Sequence, residues 1–401
     1  MMDALLLIAT VFAVLCSLGS LACAILFFVN LRIPTEAPQV RVAVILPATG
    51  KLPGLEHLLD DLARQRLCPH RLIVAVESHL DPAYERVCSL LDRHRSFALD
   101  IVVAGLADRG GQKCANLIAA VKELTPEDVY ILLIDADIRP QPWFISGLVA
   151  PLAVDRADIV NGYRWLTPVG DGVAATMIAA LDRRNAVLPR LKRDMIWGGC
   201  IAMTARALAA LDLPTILKSH ISDDLPIGER AFGVGLRVLA PRAFRAPTPL
   251  EGDFRSVFAF ARRQVQMLRL YRPGLWSYAA CVMIGELGAR LWLVMEAATN
   301  GGRFLTALLA LIVVAALDTS GARLRLSAGN RIGVTDTPIS RALHHAFALT
   351  LLPLPICVTA LFLASAVVHR VTWAHIRYQV DGSGQVIRLE RDRRAKGRAA
   401  E

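Results

Sequence analysis

Charge and organised cysteine are both scarce in this chain. Only 20% of its 401 residues are charged, against 54% hydrophobic. That excludes a disordered chain, because disorder requires high charge and few apolar residues. The eight cysteines stand alone at Cys16, Cys23, Cys68, Cys88, Cys114, Cys200, Cys281 and Cys357, without a CxxC pair or a His/Cys cluster. A zinc site and a disulfide framework are thereby set aside, and the thiols read as small core or membrane residues. No basic stripe interleaved with aromatics occurs, which argues against nucleic acid as a partner. The net charge of +10 is left to nucleotide substrates and anionic lipid. The length suits two to three domains at roughly 150 residues each. A mean hydropathy of +0.45 argues against a purely soluble enzyme, and the polar middle of the chain argues against a many-span transporter.

What is present begins with an apolar run. Ala4 to Leu31 holds no charged residue, and about 20 residues suffice to cross the hydrocarbon. The start, Met-Met-Asp, lacks the basic residue of a signal peptide and the run is too long for one, so it reads as a retained transmembrane anchor. Arg32 and Arg41 follow it, and the positive-inside bias places the downstream domain in the cytoplasm. Apolar stretches return after about residue 275. Leu275 to Ala298 carries Glu286 and Arg290 at i,i+4, which can neutralise each other on one face; it reads as an interfacial or bundle-facing helix. Phe304 to Leu317 is uncharged but short for a full span. Ala342 to Val368 is broken at Pro353 and Pro355, as a kinked or re-entrant segment would be. The tail is basic at Arg391, Arg393, Arg394, Lys396 and Arg398, which favours the cytoplasm and therefore an even number of later spans, with the proline-broken segment as the odd one. Trp373 to Leu389 alternates weakly around Asp381-Gly-Ser-Gly and reads as a small hairpin.

Between these regions the pattern is α/β. Val42–Leu46, Leu72–Val76, Ile101–Ala104 and Val129–Ile134 are short buried-strand runs. Leu55–Arg66, Tyr84–Arg95 and Cys114–Leu124 have helical spacing, with Leu55, Leu58, Leu59 and Leu62 on one face. Alternation predicts a mostly parallel, Rossmann-like sheet with ligands at the carboxyl ends of its strands. The expected division is 1–38 for anchor and linker, 39–273 for the catalytic domain, 274–369 for C-terminal membrane helices and 370–401 for the tail.

Three motifs carry chemistry. Asp135-Ala136-Asp137 follows a buried strand directly, so both carboxylates point into the crevice and can hold Mg²⁺ or Mn²⁺ against a diphosphate; the plainer account is an Asp-rich turn. Ser222-Asp223-Asp224-Leu225 opens a helix-like run, where an acidic pair is often only an N-cap. Arg262-Arg263-Gln264-Val265-Gln266-Met267, with Arg269, could line a phosphate-binding face or touch anionic lipid.

In chain order, Val76-Glu-Ser-His-Leu-Asp-Pro-Ala83, Gly111-Gln-Lys-Cys-Ala-Asn116, Asp135-Ala-Asp137, Gly198-Gly-Cys-Ile-Ala-Met203, Ser222-Asp-Asp224 and the Arg/Gln helix resemble the family 2 inverting glycosyltransferases of GT-A fold. Within them the chain looks most like the membrane-anchored ceramide glucosyltransferases and the hopanoid-biosynthesis-associated glycosyltransferases, over about residues 40 to 275. The resemblance implies a single sugar passing from a UDP-sugar to a lipid hydroxyl with inversion, by a multi-pass protein of the cell inner membrane. It puts the DxD motif at Asp135 and Asp137, with Asp137 as the chief ligand of a Mg²⁺ or Mn²⁺ ion. Asp224 becomes the general base, with Asp223 beside it, and Lys113 and Asn116 fall on the nucleotide side. The first acidic motif falls at Ser78 or, shifted by one, at Glu77. The closing Arg-Trp pair is missing after Gln266-Met267, so Arg263 or Arg269 would supply a cation. Other readings are a processive polysaccharide synthase of the same superfamily and a non-catalytic relative that binds nucleotide-sugar or lipid.

Overall fold

In the computed structural model, residues 2–34, 38–91, 96–189, 196–299, 301–368 and 370–391 are described. After the helix α1 (Met2–Val29), strands and helices alternate as expected: β1 (Val42–Pro47), α2 (Leu55–Ala63), β2 (Arg71–Val76), α3 (Pro82–Cys88), β3 (Ala98–Val103), α4 (Gln112–Val121) and β4 (Tyr130–Ile134). Next come α5 (Phe144–Ala153), β5 (Ile159–Asn161), β6 (Tyr163–Pro168), α6 (Val173–Ala186), β7 (Cys200–Thr204), α7 (Ala205–Leu211), α8 (Leu213–Leu217), α9 (Asp224–Gly233), β8 (Val238–Leu239) and β9 (Arg245–Leu250). The chain ends with α10 (Phe254–Tyr271), α11 (Pro273–Ala298), α12 (Phe304–Arg331), α13 (Pro338–Leu349), α14 (Pro353–Val367), β10 (Arg370–Trp373), β11 (Ile376–Val380) and β12 (Val386–Arg391).

The chain divides into two compact units. One holds residues 32–164, 190–248 and 369–401; the other holds 1–31, 165–189 and 249–368. This differs from a linear division at residue 273, since two inner segments join the helices and the tail joins the sheet.

The first unit is built on a seven-stranded sheet of order β3-β2-β1-β4-β7-β5-β8, parallel except where β7 runs against β4 and β5. The mostly parallel α/β sheet expected from the sequence is therefore present. β1 and β4 are buried along nearly their whole length, which is why they read as continuous aliphatic runs rather than alternating ones. Ile45, Ile73, Ile131, Leu133, Ile201 and Met203 pack with Leu117 of α4, Leu211 of α7, Leu217 of α8 and Ile227 of α9. Each such side chain contributes about 1.5–3 kcal/mol by leaving water. The four leucines of α2 are buried as their spacing predicts. β2 and β3 lie on one side of β1 and β4 on the other. The strand order reverses there, and α/β sheets bind ligands outside the carboxyl ends of strands at such a point.

The second unit is helical. Asp3–Val29, Pro273–Ala298 and Phe304–Arg331 are long and apolar enough to cross a membrane. The short run from Phe304 to Leu317 thus continues to Arg331, past Asp318, because that carboxylate is buried and paired. Its Oδ2 lies 2.8 Å from Arg290 Nη1 and its Oδ1 3.1 Å from Arg184 Nη2. Arg290 also reaches Glu286 at 2.6 Å, the expected i,i+4 pair, and Ser17 Oγ at 3.1 Å. The proline-broken segment is α13 and α14, bent by 85° at the break before Pro353. Taken as one span, this pair would make a fourth.

All eight cysteines are free. The expected hairpin is present: β11 pairs antiparallel with both β10 and β12, and Asp381 Oδ1 accepts from the N–H groups of Ser383 and Gln385 in its turn. Residues Arg393, Arg394, Lys396 and Arg398 of the basic tail lie outside the described residues, as do residues 92–95 of the run read as a helix to Arg95.

Candidate active site

The site forms where β4 ends. Asp135 follows Ile134 directly, and its N–H donates to Gly199 O at 3.2 Å. Lys113, in the first turn of α4, places Nζ 2.7 Å from Asp135 Oδ1 and 3.1 Å from Asp223 Oδ2. The second contact is an ion pair without hydrogen-bond alignment, and the same Nζ lies 3.4 Å from Gly198 O. A cation at a helix N-terminus opposes the helix dipole by roughly 0.3–1 kcal/mol, so this placement needs the carboxylates to offset it. Burial works against the Lys113 charge, but Asp135, Asp223 and Asp224 outweigh it and hold the ammonium well above its usual range.

Asp223 stands at the N-cap position of α9 yet makes no side-chain cap hydrogen bond. It is buried, at 1% exposure, against Lys113. Burial, with Asp224 and Asp135 adding to it, pushes its carboxyl up to about 7 despite Lys113. The capping account of this acidic pair therefore fails for Asp223. Asp224 is half-buried and held on both oxygens. Oδ1 accepts from Leu225 N at 2.8 Å and from the Ser222 hydroxyl, and Oδ2 accepts from Gly198 N at 3.1 Å.

Glycines allow this convergence. A Cβ on Gly110, whose φ is +101°, would lie 2.6 Å from Lys218 O, and one on Gly111 would lie 2.6 Å from Ile221 O. The turn before Lys113 is thus laid directly on the backbone leading to Asp223, and Gly111 N donates to His220 O at 2.9 Å. Gly198 is equally constrained, since a Cβ there would stand 2.8 Å from both Asp223 carboxylate oxygens. Gly198→Ala is expected to displace Asp223 from Lys113 and lower turnover about 10²-fold, the scale of an ångström's misplacement. Steady-state kinetics beside a thermal melt check this; full activity in a folded variant would refute it.

Asp137 is solvent-accessible, yet protein atoms crowd around it. That burial, with Asp135 next, pushes its carboxyl up to about 6, against the opposing pull of Lys113 and Arg164. Two carboxylates whose mutual repulsion is incompletely offset, offering hard oxygen donors, suit a divalent cation that completes its shell with phosphate oxygens. Among the described residues no group of three or more His, Cys, Asp or Glu gathers to hold a metal ion by itself.

The remaining expected residues are placed as follows. Asn116 donates to Ala48 O at 3.0 Å and Ala75 O at 3.1 Å, and accepts from Gln112 at 2.9 Å, so its amide ties the ends of β1 and β2 together. Glu77, at the end of β2, is buried, ion-paired to Arg391 at 3.2 Å and in contact with His375 Nε2 at 3.1 Å. Gln266 and Arg269 belong to the helical unit. Gln266 Nε2 donates to Val368 O at 2.7 Å, and Arg269 donates to the same oxygen at 3.0 Å and to Ala366 O. Arg263 stacks over Phe260 at 5.7 Å. These three are engaged around α10 and the end of α14.

Sequence reasoning missed Asn161. Its Nδ2 donates to Trp197 O and Cys200 O, both at 2.9 Å, and its Oδ1 accepts from Trp197 N at 3.0 Å. This clamps the Trp197–Cys200 turn that presents Gly198. An asparagine at the end of a short strand leaves no signal of such a role.

Among solved structures, the mannosyltransferase PcManGT from Pyrobaculum calidifontis, in complex with GDP-Man and Mn²⁺, is 18% identical over 90% of this chain and 98% of its own, with a TM-score of 0.46. Glucosyl-3-phosphoglycerate synthase from Mycobacterium tuberculosis, with Mg²⁺ and uridine-diphosphate, is 16% identical over 58% of this chain and 79% of its own, with a TM-score of 0.36. S. aureus TarS in complex with UDP-GlcNAc is 13% identical over 86% of this chain and 98% of its own, with a TM-score of 0.38. These are distant likenesses. No curated protein matches the chain. The family model described as glycosyl transferase family 21 matches residues 4–386, spanning most of α1, every acidic residue of the candidate site and the C-terminal helices. This chain is therefore a glycosyltransferase and belongs to glycosyl transferase family 21.

Proposed function

We propose that the enzyme transfers a single sugar from a UDP-sugar to a lipid hydroxyl, with inversion, on the cytoplasmic side of the inner membrane. The observation that carries the reading is Lys113 joining Asp135 at the end of β4 to Asp223 before α9. The strand-end carboxylates and the acidic pair thereby share one site. The lipid acceptor is supported by three helices long and apolar enough to cross a bilayer in the same chain.

Asp135 and Asp137 would hold Mg²⁺ or Mn²⁺ against the diphosphate, and that ion, when bound, supplies Lewis-acid neutralisation of the leaving group. Lys113 fixes Asp135 and Asp223 and brings a positive charge to the same place. Asp224, oriented by Ser222, Leu225 and Gly198, accepts the proton of the acceptor hydroxyl at its carboxylate as the new bond forms. A base so placed contributes about 10²–10⁴-fold. One displacement opposite the leaving diphosphate inverts the anomeric centre.

The purified protein, given UDP-sugars, Mg²⁺ or Mn²⁺ and ceramide or hopanoid acceptors, is expected to release UDP and yield a lipid carrying one added sugar by mass spectrometry. Chelation is expected to abolish release, and added metal to restore it. A polymeric product would replace this reading by a processive synthase. UDP binding without turnover on any acceptor would replace it by a non-catalytic binding protein.

A further inference from the structure

The C-terminal sheet of β10, β11 and β12 touches the site at two places. The first is the end of β2. Arg391, the last residue of β12, donates to Glu77 Oε2 at 3.2 Å, Gln112 Oε1 at 2.9 Å and Ala107 O at 3.0 Å. His375 Nε2 lies 3.1 Å from Glu77 Oε1, so both oxygens of this carboxylate are taken up by the tail. The Tyr378 hydroxyl accepts from Gln112 N at 3.2 Å, one residue before Lys113. Gln112 in turn donates to Asn116, which ties the ends of β1 and β2. The second place is the segment before the acidic pair. Val386 N donates to Ser219 O at 2.8 Å, Ile221 N donates to Gly384 O at 3.3 Å, and His220 bridges Gln385. Asp223 follows Ile221 by two residues.

Neighbouring strands lie about 4.8 Å apart. Glu77, at the end of β2, therefore stands roughly two strand spacings from the end of β4, where the reading above puts the diphosphate, and it is a position at which the family resemblance puts the first acidic motif of the nucleotide side. We propose that the C-terminal sheet is a brace that sets the nucleotide end of the donor site and holds it in register with the Asp223–Asp224 segment. Arg391 and His375 act through Glu77 as positioning residues, and Tyr378 acts through Gln112. The part of this that concerns the donor rests on the UDP-sugar reading above. Arg391 is suited to the task because its planar fork spreads two nitrogens over three acceptors, whereas a lysine offers a single nitrogen.

The test uses the full chain in detergent or nanodiscs, with Arg391→Gln, Arg391→Lys and Tyr378→Phe. Two measurements are made: donor KM against kcat, with UDP affinity by calorimetry, and hydrogen exchange without nucleotide. Arg391→Gln is expected to raise donor KM and UDP Kd about tenfold, as lost charge-assisted hydrogen bonds do, while kcat changes far less. Arg391→Lys rescues this only in part, and Tyr378→Phe shifts KM in the same direction by a smaller amount. Exchange is expected to quicken both in residues 105–116 and in residues 219–224. An unchanged Kd, a fall in kcat at constant KM, or quickening in only one segment would overturn the brace. If the unaltered protein binds no UDP, the functional reading fails by itself; the exchange pattern then decides the brace, and unchanged exchange refutes it. Tyr378→Phe removes one hydroxyl only, so it keeps the test decisive should the arginine variants fold poorly.

Discussion

Asp224→Asn is expected to lower kcat by about 10²–10⁴-fold while leaving UDP affinity close to that of the unaltered protein. Asparagine has the shape of aspartate and keeps one acceptor oxygen, so the Ser222–Leu225 turn and the Gly198 contact retain most of their geometry. What is lost is the capacity to take the hydroxyl proton of the acceptor. A loss confined to kcat marks an interaction made in the transition state rather than in substrate binding. Asp223→Asn should behave differently. It removes the partner that Lys113 holds at 3.1 Å, so its damage should extend to nucleotide affinity and thermal stability. Stopped-assay kinetics, with calorimetry of UDP, separates the two variants. Undiminished turnover in Asp224→Asn would remove Asp224 as the base, and equal loss of UDP affinity in both would recast it as a binding residue.

Much of this site was legible because its acidic residues follow elements that announce themselves. Val129–Ile134 reads as a buried strand, and Asp135 comes straight after it. The small hairpin was visible from Asp381-Gly-Ser-Gly, and the break in the last apolar segment from Pro353. The pairing of Glu286 with Arg290 followed from helical spacing alone. What escaped were the direct contacts between residues distant in sequence. Lys113 meets Asp223 although the two stand far apart in the chain, and neither residue's neighbourhood encodes the other. The helix start at Asp223 suggested a cap, but Leu225 N is taken by Asp224 and Pro226 has no N–H to offer, so the Asp223 carboxylate faces the buried Lys113 ammonium instead. Asp318 looked like the end of an apolar run because its partners, Arg290 and Arg184, sit on other helices. The tail read as basic, with a small hairpin; weak alternation marks strands, but not that Arg391 would reach back to Glu77. Periodicity reports the face a segment buries and is silent on what it is buried against. The boundary at residue 273 rests on the same kind of signal. It was placed where long apolar runs resume, whereas residues 165–189 join the helical unit.

Arg183→Met is expected to destabilise that helical unit by about 3–5 kcal/mol, the scale for breaking one partner of a buried ion pair. Arg183 is fully buried on α6, at 0% exposure. Its Nη1 and Nη2 meet Asp336 Oδ2 and Oδ1 at 2.8 and 2.7 Å, a two-pronged pairing, and Nε donates to Leu166 O at 3.1 Å. The guanidinium also stacks over Trp165 at 5.3 Å. Methionine fills much of the volume, so the loss falls mainly on Asp336, left buried and 5% exposed without its cation. The pair need not stabilise the fold relative to apolar residues, because withdrawing two charges from water offsets most of their attraction. The double variant Arg183→Met with Asp336→Leu should therefore be more stable than Arg183→Met alone, though Leu166 O still loses its donor. Arg183→Lys should fall between the unaltered protein and the methionine variant, since an ammonium cannot reproduce the two-pronged contact. Thermal midpoints of the full chain in one detergent, at one protein concentration, rank the four proteins. A single variant within about 1 kcal/mol of the unaltered protein would place Arg183 among exposed pairs of little worth. A double variant no better than the single would show that the lost hydrogen bond and aromatic stacking, rather than the orphaned carboxylate, set the cost.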